Sequence, residues 1–188
     1  MRVLKDLNFC TGCAHCVSVC PKKCITMRSN NEGFLFPDID TSKCAKCFSC
    51  YSSCPQICGT KITKPISCFA VKDKDTKKRL KSASGGISSV FFEHFLNLGG
   101  VCTGVKFDEE FNAVHSVCKT FSEIDLFRDS KYVQSQIGNI YEDIGNALKK
   151  SKKVFVTGLP CQIAAIRKKF GLNSNLFFFE QNKEIIEL

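Results

Sequence analysis

Eight cysteines near the N-terminus carry the strongest chemical signal in this chain. Cys10, Cys13, Cys16 and Cys20, the last followed by Pro21, recur with the same gaps as Cys44, Cys47, Cys50 and Cys54, followed by Pro55. Three sulfurs separated by two-residue gaps can wrap one set of corners of an iron–sulfur cube. The fourth, marked by proline, is directed to the neighbouring cube. The spacing therefore predicts two 4Fe–4S clusters, one on Cys10, Cys13, Cys16 and Cys54, the other on Cys44, Cys47, Cys50 and Cys20. Thiolate is the donor class that suits such clusters, and ligands crossing between halves couple metal binding to folding. The alternative is zinc, which favours pairs of cysteines separated by a long gap. Two compact runs, each closed by proline, fit zinc poorly.

The remaining six of the 14 cysteines carry less. Cys24 and Cys58 stand at matching places after each run and read as small core residues packed beside a cluster. Cys68, Cys102 and Cys118 have no companion spacing and read as ordinary thiols. Cys161 opens a helix after a Gly158-Leu159-Pro160 turn, where a helix N-terminus favours thiolate. On the residues alone, a ligand or redox role for Cys161 and an ordinary role stand level. His15, His94 and His115 read as incidental, with His15 solvated.

The elements that must position these groups follow from turn residues and hydrophobic period. Asn30-Asn31-Glu32-Gly33 lies between Ile25-Thr26-Met27 and Phe34-Leu35-Phe36, a hairpin between the two cysteine runs. Residues 61–82 turn to Lys, Thr, Asp and Ser, with a charge run from Lys72 to Lys81, and read as a solvated linker or exposed excursion. Ile87 to Leu98 has helical spacing and is closed by Gly99-Gly100. Val101 to Phe107 and Val114 to Lys119 form a strand pair. Ile137 to Lys150 is helical, Val154 to Val156 a buried strand, the stretch to Gly171 a helix, and Leu176 to Phe179 a further strand. The expected fold class is α+β: a two-cluster, bacterial ferredoxin-like module over residues 1–60, then a partial α/β flavin-binding-type domain over 83–188.

Composition narrows the function classes. The chain has 188 residues, 44% of them hydrophobic, enough for a core, and no apolar run long enough to span a membrane. The N-terminus shows no export signal, so the expected location is cytoplasmic. Formal charge is +9. Eight ligating thiolates and two oxidised cluster cores would bring it to about +5. A mildly basic surface suits an acidic redox protein, or a small-molecule electron donor or acceptor bearing phosphate. No arginine-rich groove or aromatic platform points to nucleic acid.

Four motifs behind the cysteine runs occur in a fixed order. They are Ser82-Ala83-Ser84-Gly85-Gly86, Gly99-Gly100-Val101, Ser130-Lys131-Tyr132-Val133-Gln134-Ser135, and Thr157-Gly158-Leu159-Pro160-Cys161-Gln162. In these the chain resembles the beta-subunit family of coenzyme F-420 hydrogenase/dehydrogenase, in its bacterial form with a fused two-cluster ferredoxin. The resemblance implies an iron–sulfur oxidoreductase that binds FAD. It places Ser84, Gly85, Gly86, Lys131, Tyr132 and Gln134 near the flavin, and Cys161 in a further cluster or redox site. Taken without the resemblance, Ser-Gly-Gly is a plain helix start and Ser-Lys-Tyr a surface loop. Leu159 departs from the Thr or Ser expected before Pro-Cys. The strand at Leu176 also runs into Phe177-Phe178-Phe179-Glu180-Gln181-Asn182 rather than toward a Cys-His-Gly motif. The expectation is a C-terminally truncated member, either a flavin-linked oxidoreductase component or a ferredoxin-like electron carrier with an incomplete second domain.

Overall fold

The computed structural model describes residues 9–59, 67, 69–171, 173–180 and 186–187. Cys68, most of the 60–68 stretch, and Gln181 and Asn182 lie outside them.

In the N-terminal part, the two cysteine runs flank an antiparallel hairpin. β1 (Ile25–Ser29) pairs with β2 (Leu35–Ile39), Ile25 opposite Ile39 and Ser29 opposite Leu35. The turn forms because the Asn30 carboxamide oxygen accepts from the backbone N–H groups of Glu32 and Phe34, at 3.0 and 2.9 Å. Short helices follow the cysteine loops: α1 (His15–Val19) in the first repeat, α2 (Ser49–Ser52) and α3 (Pro55–Cys58) in the second. Cys24, Ile25 and Cys50 make a small buried cluster between them.

The second part is a five-stranded mixed sheet, and the chain as a whole is α+β. The strand order is β4-β3-β5-β6-β7. β3 (Val101–Phe107) and β4 (Ala113–Cys118) form an antiparallel pair. β5 (Val154–Gly158) and β6 (Leu176–Glu180) run parallel to β3, and β7 (Ile186–Glu187) returns antiparallel. Alternation along β5 divides the core between two faces. Val154 and Val156 pack with Ile140 and Ile144 of α6 (Ile140–Lys149) and with Ile163 and Ile166 of α7 (Pro160–Phe170). Phe155 turns to the opposite face, beneath Phe92 and Phe95 of α5 (Ile87–Asn97). There it stacks on Phe95 at 4.9 Å between ring centroids. Such pairs contribute about 1 kcal/mol beyond burial.

The segment between the two parts is largely exposed, and it also carries a short helix and ion pairs. Thr76–Leu80 forms α4, capped by Asp75, whose carboxylate accepts from the backbone N–H of Lys77 and Lys78. The charge run is engaged with the sheet domain: Lys78 pairs with Glu93 at 2.7 Å and Lys81 with Asp125 at 3.0 Å. Asp125 also holds Arg128, whose guanidinium reaches Ser82 Oγ at 2.8 Å. Two basic residues of this mixed-charge run find counter-charges on α5 and on the 3-10 helix Phe121–Phe127. Those partners lie outside the run, so its composition alone resembled a linker.

Candidate metal centres

The two cysteine runs fold onto the same backbone pattern. The residue before the second cysteine of each run is left-handed, Gly12 at φ 69° and Lys46 at φ 54°. So is the residue after it, Ala14 at φ 53° and Phe48 at φ 59°. These reversals curl each loop. Cys20 and Cys54 are both extended, at ψ 112° and 122°, as a residue before proline must be. Each is thereby carried away from its own triplet.

The sulfurs then gather across the repeats. Cys10, Cys13, Cys16 and Cys54 line one cavity of about 270 Å³. Cys20, Cys44, Cys47 and Cys50, together with Cys24, line a second of about 20 Å³. Every described cysteine is a free thiol. Among the described residues no three His, Cys, Asp or Glu side chains converge closely enough to hold a single metal ion. The thiols ring cavities instead, which suits a polynuclear group whose irons each take one thiolate. The donor set is compatible with iron–sulfur clusters. The second cavity is narrow, and its thiols must spread to admit one. Of these thiols Cys47 is exposed and Cys50 buried.

The two sulfur groups differ in environment. Burial raises the Cys13 thiol to about 11 and the Cys16 thiol to about 12, with further upward pressure from neighbouring thiols including Cys10. Cys10 is raised for the same first reason, and then by Cys54 and Cys161. Burial, followed by Cys47 and Cys20, also raises Cys50. Cys47 and Cys20 are instead lowered. At Cys47 the Ser49 hydroxyl, with Sγ to Oγ at 3.4 Å, and the Ser49 N–H favour the thiolate. At Cys20 burial opposes ionisation, but donors from Cys24, Lys22 and Lys23 outweigh it. The first four sulfurs are thus all half-buried, whereas the second group runs from buried Cys50 to exposed Cys47 and is better supplied with donors at Cys20 and Cys47.

Support for the first group comes from the sheet domain. Tyr141 donates from its hydroxyl to the Cys13 carbonyl at 2.7 Å, and Lys169 Nζ donates to the Ser18 carbonyl at 2.8 Å. His15 is 1% exposed, not solvated as expected, and its ring lies 5.8 Å from that of Tyr141. Tyr141 and Lys169 are supports that sequence reasoning missed. Nothing near them in the chain points to partners 128 and 151 residues away. Cys161 stands close enough to Cys10 and Cys13 to raise both, which places it beside the first group. Cys24 is buried, as expected of a packing residue, with its sulfur 3.5 Å from that of Cys20. Cys58 is exposed and donates to the Ser52 carbonyl at 3.0 Å, so it is not core filler. Cys102 and Cys118 are buried opposite one another across β3 and β4.

The six residues that the resemblance assigns to flavin do not come together. Ser84, Gly85 and Gly86 lie at the start of α5 against the segment before α4. A Cβ on Gly85 would stand 2.7 Å from the Val71 carbonyl oxygen, so glycine is needed there for the chain's own close approach. Lys131 donates to the carbonyls of Arg128, Leu126 and Asp129, closing the end of the 3-10 helix. Tyr132 is 92% exposed. Gln134 faces the N-terminal part: its carboxamide oxygen accepts from Leu35 N at 2.7 Å and its nitrogen donates to the Thr11 carbonyl. The cavity lined by Lys131, Ser135 and Gln162 holds only about 50 Å³, far below the several hundred that a cofactor of flavin size fills. Among the described residues no pocket of flavin size joins these six positions.

No family model and no curated protein matches the chain. Among solved structures a distant neighbour is the F-420-reducing nickel–iron hydrogenase complex from Methanosarcina barkeri, at 25% identity and a TM-score of 0.48. The match covers 57% of this chain and 38% of that one. No described helix is long and apolar enough to cross a membrane.

Proposed function

We propose that this protein is an iron–sulfur electron carrier that holds two 4Fe–4S clusters and relays single electrons between redox partners. One observation supports this most directly: each cavity is walled by three cysteines of one repeat and the proline-marked cysteine of the other. Cys10, Cys13, Cys16 and Cys54 would hold one cluster, and Cys44, Cys47, Cys50 and Cys20 the other. When bound, such clusters supply reversible one-electron chemistry, with potentials set by hydrogen bonds to sulfur and by exposure. The chain itself fixes the sulfurs, through the left-handed turns and the extended Cys-Pro positions. It braces the backbone of the first group with Tyr141 at the Cys13 carbonyl and Lys169 at the Ser18 carbonyl. It supplies donors to the second through Ser49 and the amides after Cys20. A flavin-linked oxidoreductase reading rests on the motif order in residues 83–188 and has no assembled pocket behind it.

Anaerobic purification followed by iron and acid-labile sulfide analysis tests the proposal. About eight of each per chain, with a broad absorption near ~400 nm that bleaches on reduction, is the expected result. A colourless protein with bound zinc would overturn it. Structured flavin bands in the same spectrum would restore the flavin-linked reading.

A further inference from the structure

The second sulfur group has a basic, partly apolar rim that none of the foregoing roles uses. Cys47 is exposed, and Phe48 beside it is 38% exposed. Lys22, Cys47 and Phe48 line one cavity mouth, and Lys23 and Lys46 adjoin them in the same two loops. All three lysines are exposed, and among the described residues none forms an ion pair. The nearby carboxylates are already engaged, Asp40 by Lys43 and Asp38 by Arg28. Uncompensated positive charge around a solvent-facing redox edge attracts a negatively charged protein and raises its encounter rate. The mouth of the first cavity differs in chemistry: Phe9, Tyr51 and Ile57 are exposed there, and no lysine is among its lining residues.

We infer that the rim formed by Lys22, Lys23, Lys46 and Phe48 is the docking face for an acidic electron-transfer protein. This rests on the cluster reading above. One electron leaves the partner's reduced centre and enters the cluster held by Cys20, Cys44, Cys47 and Cys50; no bond forms or breaks and no proton moves. Phe48 supplies the apolar contact at the centre, and the lysines orient the partner around it.

Stopped-flow reduction of the cluster-loaded protein tests the inference. An acidic plant-type ferredoxin, reduced beforehand, is one donor, and methyl viologen radical is the control. With ferredoxin the rate constant should fall steeply as salt rises. It should drop roughly 10-fold or more in the triple variant Lys22→Glu, Lys23→Glu, Lys46→Glu. Reduction by methyl viologen should not slow. A second triple variant of exposed lysines around the end of α6, Lys149→Glu, Lys150→Glu, Lys152→Glu, should keep the parent rate with ferredoxin. A salt-independent rate, an unchanged rim variant, or equal slowing by both donors overturns the docking face. If the parent protein contains no iron, the cluster reading itself has failed. Full iron with salt-insensitive reduction overturns the docking face alone.

Discussion

The first and second sulfur groups share a backbone pattern and a ligand spacing, yet they occupy different physical settings. Around Cys10, Cys13 and Cys16 the sheet domain packs on one side through Tyr141 and Lys169, and burial pushes these three thiols upward. Around Cys20 and Cys47 the chain is open, and N–H and O–H donors hold two of the thiols down. A duplicated cradle therefore need not give duplicated electronics. What distinguishes the two is whatever packs on them from elsewhere in the chain.

The largest expected effect separates the two groups outright. Cys54→Ser should remove about half the iron and leave the spectrum of the second site, whereas Cys20→Ser should leave that of the first. If either change removed both clusters equally, the groups would not be independent units. Next, Tyr141→Ala removes a buried ring and its bond to the Cys13 carbonyl. It should destabilise the protein by about 3 kcal/mol in urea unfolding and loosen the first site, with the second retaining its iron. Tyr141→Phe isolates the hydroxyl at roughly 1 kcal/mol.

Acid offers a third test, directed at the support under the first site. His115 is 8% exposed, and burial lowers its ring to about 4 from an ordinary 6.5. Gln162 lies beside it, but that carboxamide is engaged with Leu159 and Ser135. The unfolded chain takes up the proton first as pH falls. Stability is thus full above about 6.5 and declines down to about 4, by up to about 3 kcal/mol. His115→Leu, which sacrifices no side-chain hydrogen bond, should flatten that part of the profile. An unchanged pH profile would show that the ring titrates normally. The smallest effect is electronic: Ser49→Ala removes a donor beside Cys47 and should lower the potential of the exposed site by tens of millivolts, on the order expected for one hydrogen bond to sulfur. Redox titration followed by EPR would read it, and a shift confined to the first site would break the comparison.

Sequence reading was most effective where chemistry is local. Cysteine gaps and Cys-Pro steps are local signals, because two-residue loops leave few geometries. The strands and helices after residue 86 were also legible, since Val154, Phe155 and Val156 or Ile140 and Ile144 follow simple periods. Boundaries moved only slightly, with α6 starting at Ile140 rather than Ile137. Docking between the two parts was not legible. Tyr141, Lys169 and Gln134 are ordinary residues in ordinary helices or loops until a distant carbonyl or amide is brought to them. The same blindness misread His15 as solvated and gave no sign that Lys78 and Lys81 would pair with Glu93 and Asp125.

Position 46 has a further consequence. Its counterpart in the first repeat is Gly12, which adopts the left-handed conformation freely and whose missing Cβ makes room for the Gln134 carboxamide. A lysine in that conformation costs about 1 kcal/mol. Lys46→Gly should therefore make the loop more stable while weakening its attraction for an acidic visitor, so resilience and recognition are set against each other at a single backbone angle.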